Sequence, residues 1–195
     1  HAALAAHGPE ALALGIDVLT VSLGALADDA LYDRLLGAAQ TGAAKLQLAS
    51  GAIGGLDALR AACVGPMQSV TYKGRKPPAG WKGSPAADVL DLDALTEAAP
   101  HFTGSARQAA LAYPKNANVA AAVALAGIGM DATWVELIAD PDAPGNTHEI
   151  HAVGQFGELH FQITGKGLPE NPRSSAFAEM RVVSALAKRQ KRVVF

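Results

Sequence analysis

Residues 147–165 admit few structures. Leu159, Phe161 and Ile163 alternate with Glu158, His160 and Gln162. A period of two gives one apolar and one polar face only in an extended strand. Just before this run, His148, Ile150 and Ala152 share one face of a second run. The two runs, about 147–154 and 157–165, read as paired strands, and their apolar face needs another layer to cover it. Half of the residues are hydrophobic, but only 5% are aromatic. The covering core is therefore Ala, Val, Leu and Ile, the usual filling of α/β layers.

The rest of the chain supplies such layers. Residues 2–14 read as a helix closing at Gly15, a C-cap glycine. Asp17 to Ser22 is a β-branched apolar run, and Lys45-Leu46-Gln47-Leu48 alternates. Between them, Asp28 or Asp29 caps a helix from about 29 to 41 with Leu31, Leu35 and Leu36 on one stripe. Residues 1–49 are thus α-β-α-β, half of a doubly wound sheet. A short helix from Gly55 to Cys63 and a strand over 67–72 follow. Residues 73–87, rich in Lys, Gly and Pro, predict a long exposed loop, and Asp91 to Ala99 a brief helix. Another helix starts at Gly104-Ser105 and ends before Pro114. Asn116 to Gly129 is apolar nearly all round and should be a central helix. Residues 134–138 form a strand, Pro169 to Pro172 a turn, Ser174 caps a last helix over about 175–189, and residues 193–195 read as a final strand.

The fold class is α/β: the C-terminal half of a Rossmann-like domain, plus an α+β domain with an open antiparallel or mixed sheet. The expected division is 1–50 for the partial Rossmann-like unit, 51–172 for the α+β unit, and 173–195 for a C-terminal helix returning to the first part.

Charge and cysteine content exclude several roles. The formal net charge is −2 with a pI of about 6.3, so no global basic field draws nucleic acid. Cys63 is the single cysteine, which leaves no intrachain disulfide and no cysteine-rich metal site, and a reducing compartment fits. The most apolar run, Asn118 to Met130, is shorter than the roughly 20 residues that span a bilayer. The chain begins at His1, inside a helical pattern, so an N-terminal segment upstream of it is expected.

Three runs carry candidate chemistry. Ser50-Gly51-Ala52 follows a strand end, where doubly wound folds bind ligands, and its small residues let a flat ring approach the backbone. Lys115, Asn116 and Asn118 sit at the start of the apolar helix. A helix N-terminus there favours a carboxylate; Asn116 offers a cap, and Asn118 carries an amide that both donates and accepts. In Pro144-Gly145-Asn146-Thr147-His148, a turn delivers an imidazole onto the apolar face of a strand. With an ordinary pKa near ~6.5, it can move protons at neutral pH. Arg75 and Lys76 suit an acidic substrate or a phosphate, although a Pro-rich loop usually solvates such residues. His148, Glu149 and His151 do not make a metal site, because residues 148 and 151 face opposite sides of a strand.

Together these runs resemble the L-aspartate dehydrogenase family. The likeness spans almost the whole chain: Val21-Ser22-Leu23-Gly24-Ala25-Leu26-Ala27, Ser50-Gly51-Ala52-Ile53-Gly54-Gly55-Leu56-Asp57, Tyr113-Pro114-Lys115-Asn116-Ala117-Asn118-Val119-Ala120, Ala139-Asp140-Pro141 and Pro144 to Ile150. The resemblance implies a Rossmann domain joined to a dihydrodipicolinate-reductase-like sheet domain, a homodimer, and a cytoplasmic enzyme that feeds NAD biosynthesis. It implies NAD or NADP as cofactor and L-aspartate as substrate, oxidised to iminosuccinate and thence to oxaloacetate and ammonia. It places the catalytic histidine on His148 and the nicotinamide-side contacts on Ala52 and Asn118. Lys115, Asn116 and Thr147 are candidates for the substrate side. The family's Gly-rich strand-turn-helix for the pyrophosphate has no counterpart here and is expected upstream of His1; Gly51-x-x-Gly54-Gly55 lacks its spacing. Two alternatives stay open: a related amino-diacid dehydrogenase or imine reductase, and a non-catalytic dimerisation or ligand-binding module.

Overall fold

The computed structural model describes residues 1–168 and 171–193, and of residues 167, 168 and 171–174 the backbone alone. Helix α1 (Ala2–Ala13) leads into strand β1 (Val18–Thr20), a 3₁₀ turn (Leu23–Ala27), helix α2 (Asp29–Thr41) and strand β2 (Leu46–Leu48). β1 and β2 pair in parallel, Leu19 beside Gln47, as the α-β-α-β reading requires. Pro9 lies inside α1 and cannot bond the carbonyl of Ala5. Arg34 on α2 donates to that carbonyl at 3.3 Å, so the proline's missing donor is replaced by the neighbouring helix. Asp28 caps α2 through bonds from the Ala30 and Leu31 amides.

The second unit is a five-stranded mixed sheet. It is built from β3 (Met67–Lys76), β4 (Ala99–Ser105), β5 (Trp134–Ala139), β6 (Asn146–Gly154) and β7 (Gly157–Gly165). Its order is β4-β5-β3-β6-β7, with β3 and β5 parallel and the other pairs antiparallel. The hairpin pairs as its alternation demands: Ile150 opposite Phe161, and His148 opposite Ile163.

Helices α3 (Leu56–Ala62), α4 (Ala86–Val89), α5 (Ala106–Ala112) and α6 (Asn118–Ala126) join this sheet. α5 is closed by a capping box between Ser105 and Gln108. α6 is buried at almost every position, as its all-round apolarity predicts. Its alanines let it lie close to the 3₁₀ turn, α3, α5 and β3. Ser175 precedes a final helix, α7 (Ala176–Lys188). Arg189 beyond it pairs with Asp17 at 2.9 Å, and Arg181 donates to Ser50 Oγ at 2.7 Å.

The structure corrects several expectations. Residues 73–87 are not a long exposed loop. β3 continues to Lys76, both Lys76 and Trp81 are buried, and Trp81 Nε1 donates to the Ile138 carbonyl. The region 91–99 holds no helix; the short helix is α4, earlier, and Ala99 begins β4. β4 was concealed by Pro100 and Gly104, poor strand formers that an edge strand tolerates. Asn116 does not cap α6: the N-cap position is Ala117, without a side-chain bond. The last helix starts one residue later than expected, preceded by a short pairing of β8 (Gly167–Leu168) with β9 (Asn171–Ser175). Half of the expected 169–172 turn lies outside the described residues, as do residues 194 and 195 of the expected final strand.

Candidate active site

Strand periodicity assembles one wall. Tyr72, Gly74 and Lys76 share the covered face of β3, and His148, Ile150 and Ala152 share that of β6. In register, Gly74 lies opposite His148 and Tyr72 opposite Ile150. His148 is 4% exposed, and its Nδ1 is 2.7 Å from the Tyr72 hydroxyl. Tyr72 is 2% exposed, and burial raises its pKa, so the phenol is neutral. Among the described residues His148 Nε2 has no hydrogen-bond partner. The Tyr72 bond therefore anchors one ring nitrogen and leaves the other for a ligand.

Burial, and then the charge of Lys76, pushes the His148 pKa down to about 3. The imidazole is thus neutral at pH 7, through desolvation rather than the ordinary pKa expected from sequence, and the same burial makes the free protein's His148 a weaker base than an exposed imidazole. His101 on β4 is also buried and is pushed to about 4 by the same two causes. It bonds the Tyr113 hydroxyl at 3.1 Å and meets Trp81 edge to face.

Both histidines have folded pKa values below the ordinary 6.5, so the unfolded chain binds more protons. Their contribution is complete above pH 6.5 and is lost as pH falls toward their folded values. Thermal scans should show Tm falling already between pH 6.5 and 4.5, above the carboxylate range, and falling less in His148→Asn. A Tm that is flat down to pH 4.5 would contradict the burial described.

Lys76 is 9% exposed. Its Nζ donates to Asn116 Oδ1 at 3.2 Å and lies 4.7 Å from the centre of the Trp81 ring. Burial lowers its pKa to about 8. The bond to Asn116 ties the end of β3 to the segment leading into α6.

Asn118, in the first turn of α6, accepts from the Gly24 amide at 2.9 Å and contacts His1 Nε2 at 3.2 Å. This links the sheet unit to the turn after β1. A β-carbon at Gly24 would lie 3.2 Å from Asn118 Oδ1, so glycine is what lets the amide come this close. The run after β2 docks through its glycines. The Phe161 ring lies where β-carbons at Gly54 and Gly55 would be, at 2.9 and 3.0 Å. Gly51 has φ +65° and open space around it, and Ala52 beside it is buried.

The other expected site residues fall differently. Asn116 joins the site through Lys76. Lys115 is exposed. Alternation puts Thr147 on the opposite face of β6 from His148, where its hydroxyl meets Thr164 at 3.1 Å. His151 and His160 pair across the outer face with Glu158 and Glu149, at 2.6 and 3.2 Å. Sequence reasoning missed Tyr72 and His101. For Tyr72 a signal existed: Tyr72-x-Gly74-x-Lys76 continues the alternation of the strand before it.

Comparison with known proteins places this geometry. The profile described as "Aspartate dehydrogenase, C-terminal" matches residues 57–189, two thirds of the chain. The chain belongs to the aspartate dehydrogenase family. The profile "Homoserine dehydrogenase, NAD binding domain" matches residues 1–49, the α-β-α-β segment. An L-aspartate dehydrogenase of Ruegeria pomeroyi is 61% identical over 97% of this chain and 69% of the relative. That of Cupriavidus necator is 51% identical over 97% and 71%. The crystal structure of an aspartate dehydrogenase from Thermotoga maritima superposes with a TM-score of 0.80 at 24% identity, covering the whole chain and 74% of that structure, and so shares the fold. The family's cofactor class is NAD or NADP. No helix among the described residues is long and apolar enough to cross a membrane.

Proposed function

We propose that the chain oxidises L-aspartate with NAD or NADP to iminosuccinate, which takes up water to give oxaloacetate and ammonia. The observation that carries this reading is the anchored, neutral His148 on the covered face of β6, opposite Gly74 and bonded to Tyr72 of β3. The reading includes the division into residues 1–50, 51–172 and 173–195, a homodimer, a cytoplasmic location and a place in NAD biosynthesis.

The residues present fit a nicotinamide. Asn118 spends its oxygen on Gly24, and its amide hydrogens have no partner among the described residues, which suits a carboxamide oxygen. Ala52 and Gly51 give a small-residue wall with open space beside it. When bound, the cofactor supplies the acceptor for the hydride leaving the substrate Cα.

His148 moves the protons. Its preferred role is base for hydration of the imine: Nε2 takes a proton from water as the oxygen bonds to the imine carbon. Hydride loss from the neutral amine leaves the imine nitrogen protonated, so this addition gives a neutral carbinolamine; the imidazolium returns its proton to that nitrogen, the hydroxyl proton is lost to solvent as the carbonyl forms, and the C–N bond breaks to release ammonia. His148 Nε2 is also placed to accept the substrate ammonium proton before hydride loss. In either role Nε2 must start without a proton, so the working tautomer carries its hydrogen on Nδ1 and donates it to the Tyr72 oxygen. Asn116 and, at the surface, Lys115 are assigned to the substrate side. Thr147 supports the strand end that carries His148.

The test is direct. With NAD or NADP, L-aspartate should yield NAD(P)H, ammonia and oxaloacetate in equal amounts, and D-aspartate, L-alanine and L-glutamate should react far more slowly. Turnover of another amino diacid in preference would point to a related dehydrogenase. Cofactor binding without turnover of any amino acid would point to a binding module.

A further inference from the structure

We propose that Lys76 and Asn116 form the seat for one carboxylate of the substrate, with the ammonium supplying charge and the Asn116 amide group a second donor. The inference deepens the amino-diacid reading and rests on it for the identity of the ligand.

The charges around the end of β3 carry the argument. Three basic side chains lie close together on this strand. Lys73 pairs with Glu136 at 3.2 Å, and Arg75 pairs with Asp140 at 2.7 Å. Lys76 is the most buried of the three, yet among the described residues it has no acidic partner. Its contacts are the Asn116 oxygen and the Trp81 ring. The titratable groups whose protonation feels its charge are His148 and His101, and both are neutral. Tyr72, on the same face of β3, is neutral as well.

A desolvated ammonium facing only neutral groups is costly to keep, and such a charge is retained where a ligand completes the pair. Asn116 has committed its oxygen to Lys76, so the amide hydrogens remain as donors, which match an anion and not a second cation. His101 Nε2, buried and without a partner among the described residues, lies behind Trp81 in the same cluster. The alternatives within the site are weaker. Arg75 is already neutralised, and Lys115 stands in solvent, where an ion pair contributes little.

Succinate, which has the carbon skeleton of aspartate without the amine, is a suitable probe. In the NAD-loaded protein, Lys76→Met should weaken succinate inhibition and raise the KM for L-aspartate by about 10–100-fold, the effect of losing a charged hydrogen bond. The Kd for NAD should stay within about twofold, and Tm should hold or rise, because a thioether needs no counter-ion. In the wild type, succinate affinity should decline as pH rises through about 8, where free Lys76 loses its proton. That titration needs no variant. Unchanged KM and succinate inhibition in Lys76→Met would overturn the seat, as would a lowered Tm with KM unchanged, the mark of a purely structural lysine. Lys76-dependent succinate binding in a protein that does not oxidise L-aspartate would uphold the seat and overturn the reaction. Full L-aspartate turnover with an unchanged KM in Lys76→Met would do the reverse.

Discussion

Replacing Gly74 with alanine should cost about 1–3 kcal/mol of stability, the usual penalty for overpacking a filled core. In a chain of this size that lowers Tm by roughly 3–10 °C. The backbone does not object, since Gly74 is in an ordinary strand. The obstacle is space. A β-carbon there would lie 2.8 Å from the Tyr72 hydroxyl, 3.2 Å from the Tyr72 Cζ and 3.2 Å from Leu137 Cδ2. Tyr72 and Leu137 are both buried, so neither has solvent to swing into. The hydroxyl that must yield is the one bonded to His148. Turnover should therefore fall together with Tm, because the imidazole loses the contact that holds it in place. Calorimetry and steady-state kinetics on Gly74→Ala check both effects. Wild-type stability and turnover in this variant would mean that Tyr72 can move aside and does not hold His148.

The hairpin that carries His148 was legible because its information is local. Each residue from 157 to 163 reports its own face, and the structure buries Leu159, Phe161 and Ile163 more than their neighbours. The helix α6 was legible for the same reason, since apolarity all round leaves only a central place. The end of β3 was not. Lys73-Gly74-Arg75-Lys76-Pro77-Pro78 has the composition of a solvated loop, and a strand was imposed by β5 on one side and β6 on the other. That is tertiary context overriding propensity.

The site shows the same division. His148 was visible from a turn and an alternation. Tyr72 was hidden because its bond depends on the pairing of Gly74 with His148 across 74 residues of chain. The depressed pKa of His148 was hidden too, because desolvation and the field of Lys76 exist only after folding. Asn116 offered a helix cap by local rules, but its oxygen was drawn instead to a lysine 40 positions away.

The largest effect on activity is expected from His148. General-base catalysis is worth about 10²–10⁴-fold in rate, and among the described residues no other imidazole shares the Tyr72 anchor. Removing the buried ring also opens a cavity beside Tyr72, so His148→Ala should lose some stability. His148→Asn, which keeps a polar group facing Tyr72, separates that loss from the chemistry. Cofactor affinity should hold in both, because the contacts assigned to NAD(P) belong to Ala52 and Asn118, on other elements.

The most direct test pairs two quantities on folded His148→Ala protein: kcat with L-aspartate, and the Kd for NADH from its fluorescence. The expected result is a kcat lower by about 10²–10⁴-fold, with a Kd within about twofold of wild type. A kcat equal to that of wild type would contradict the assignment of His148 as the group that moves the proton.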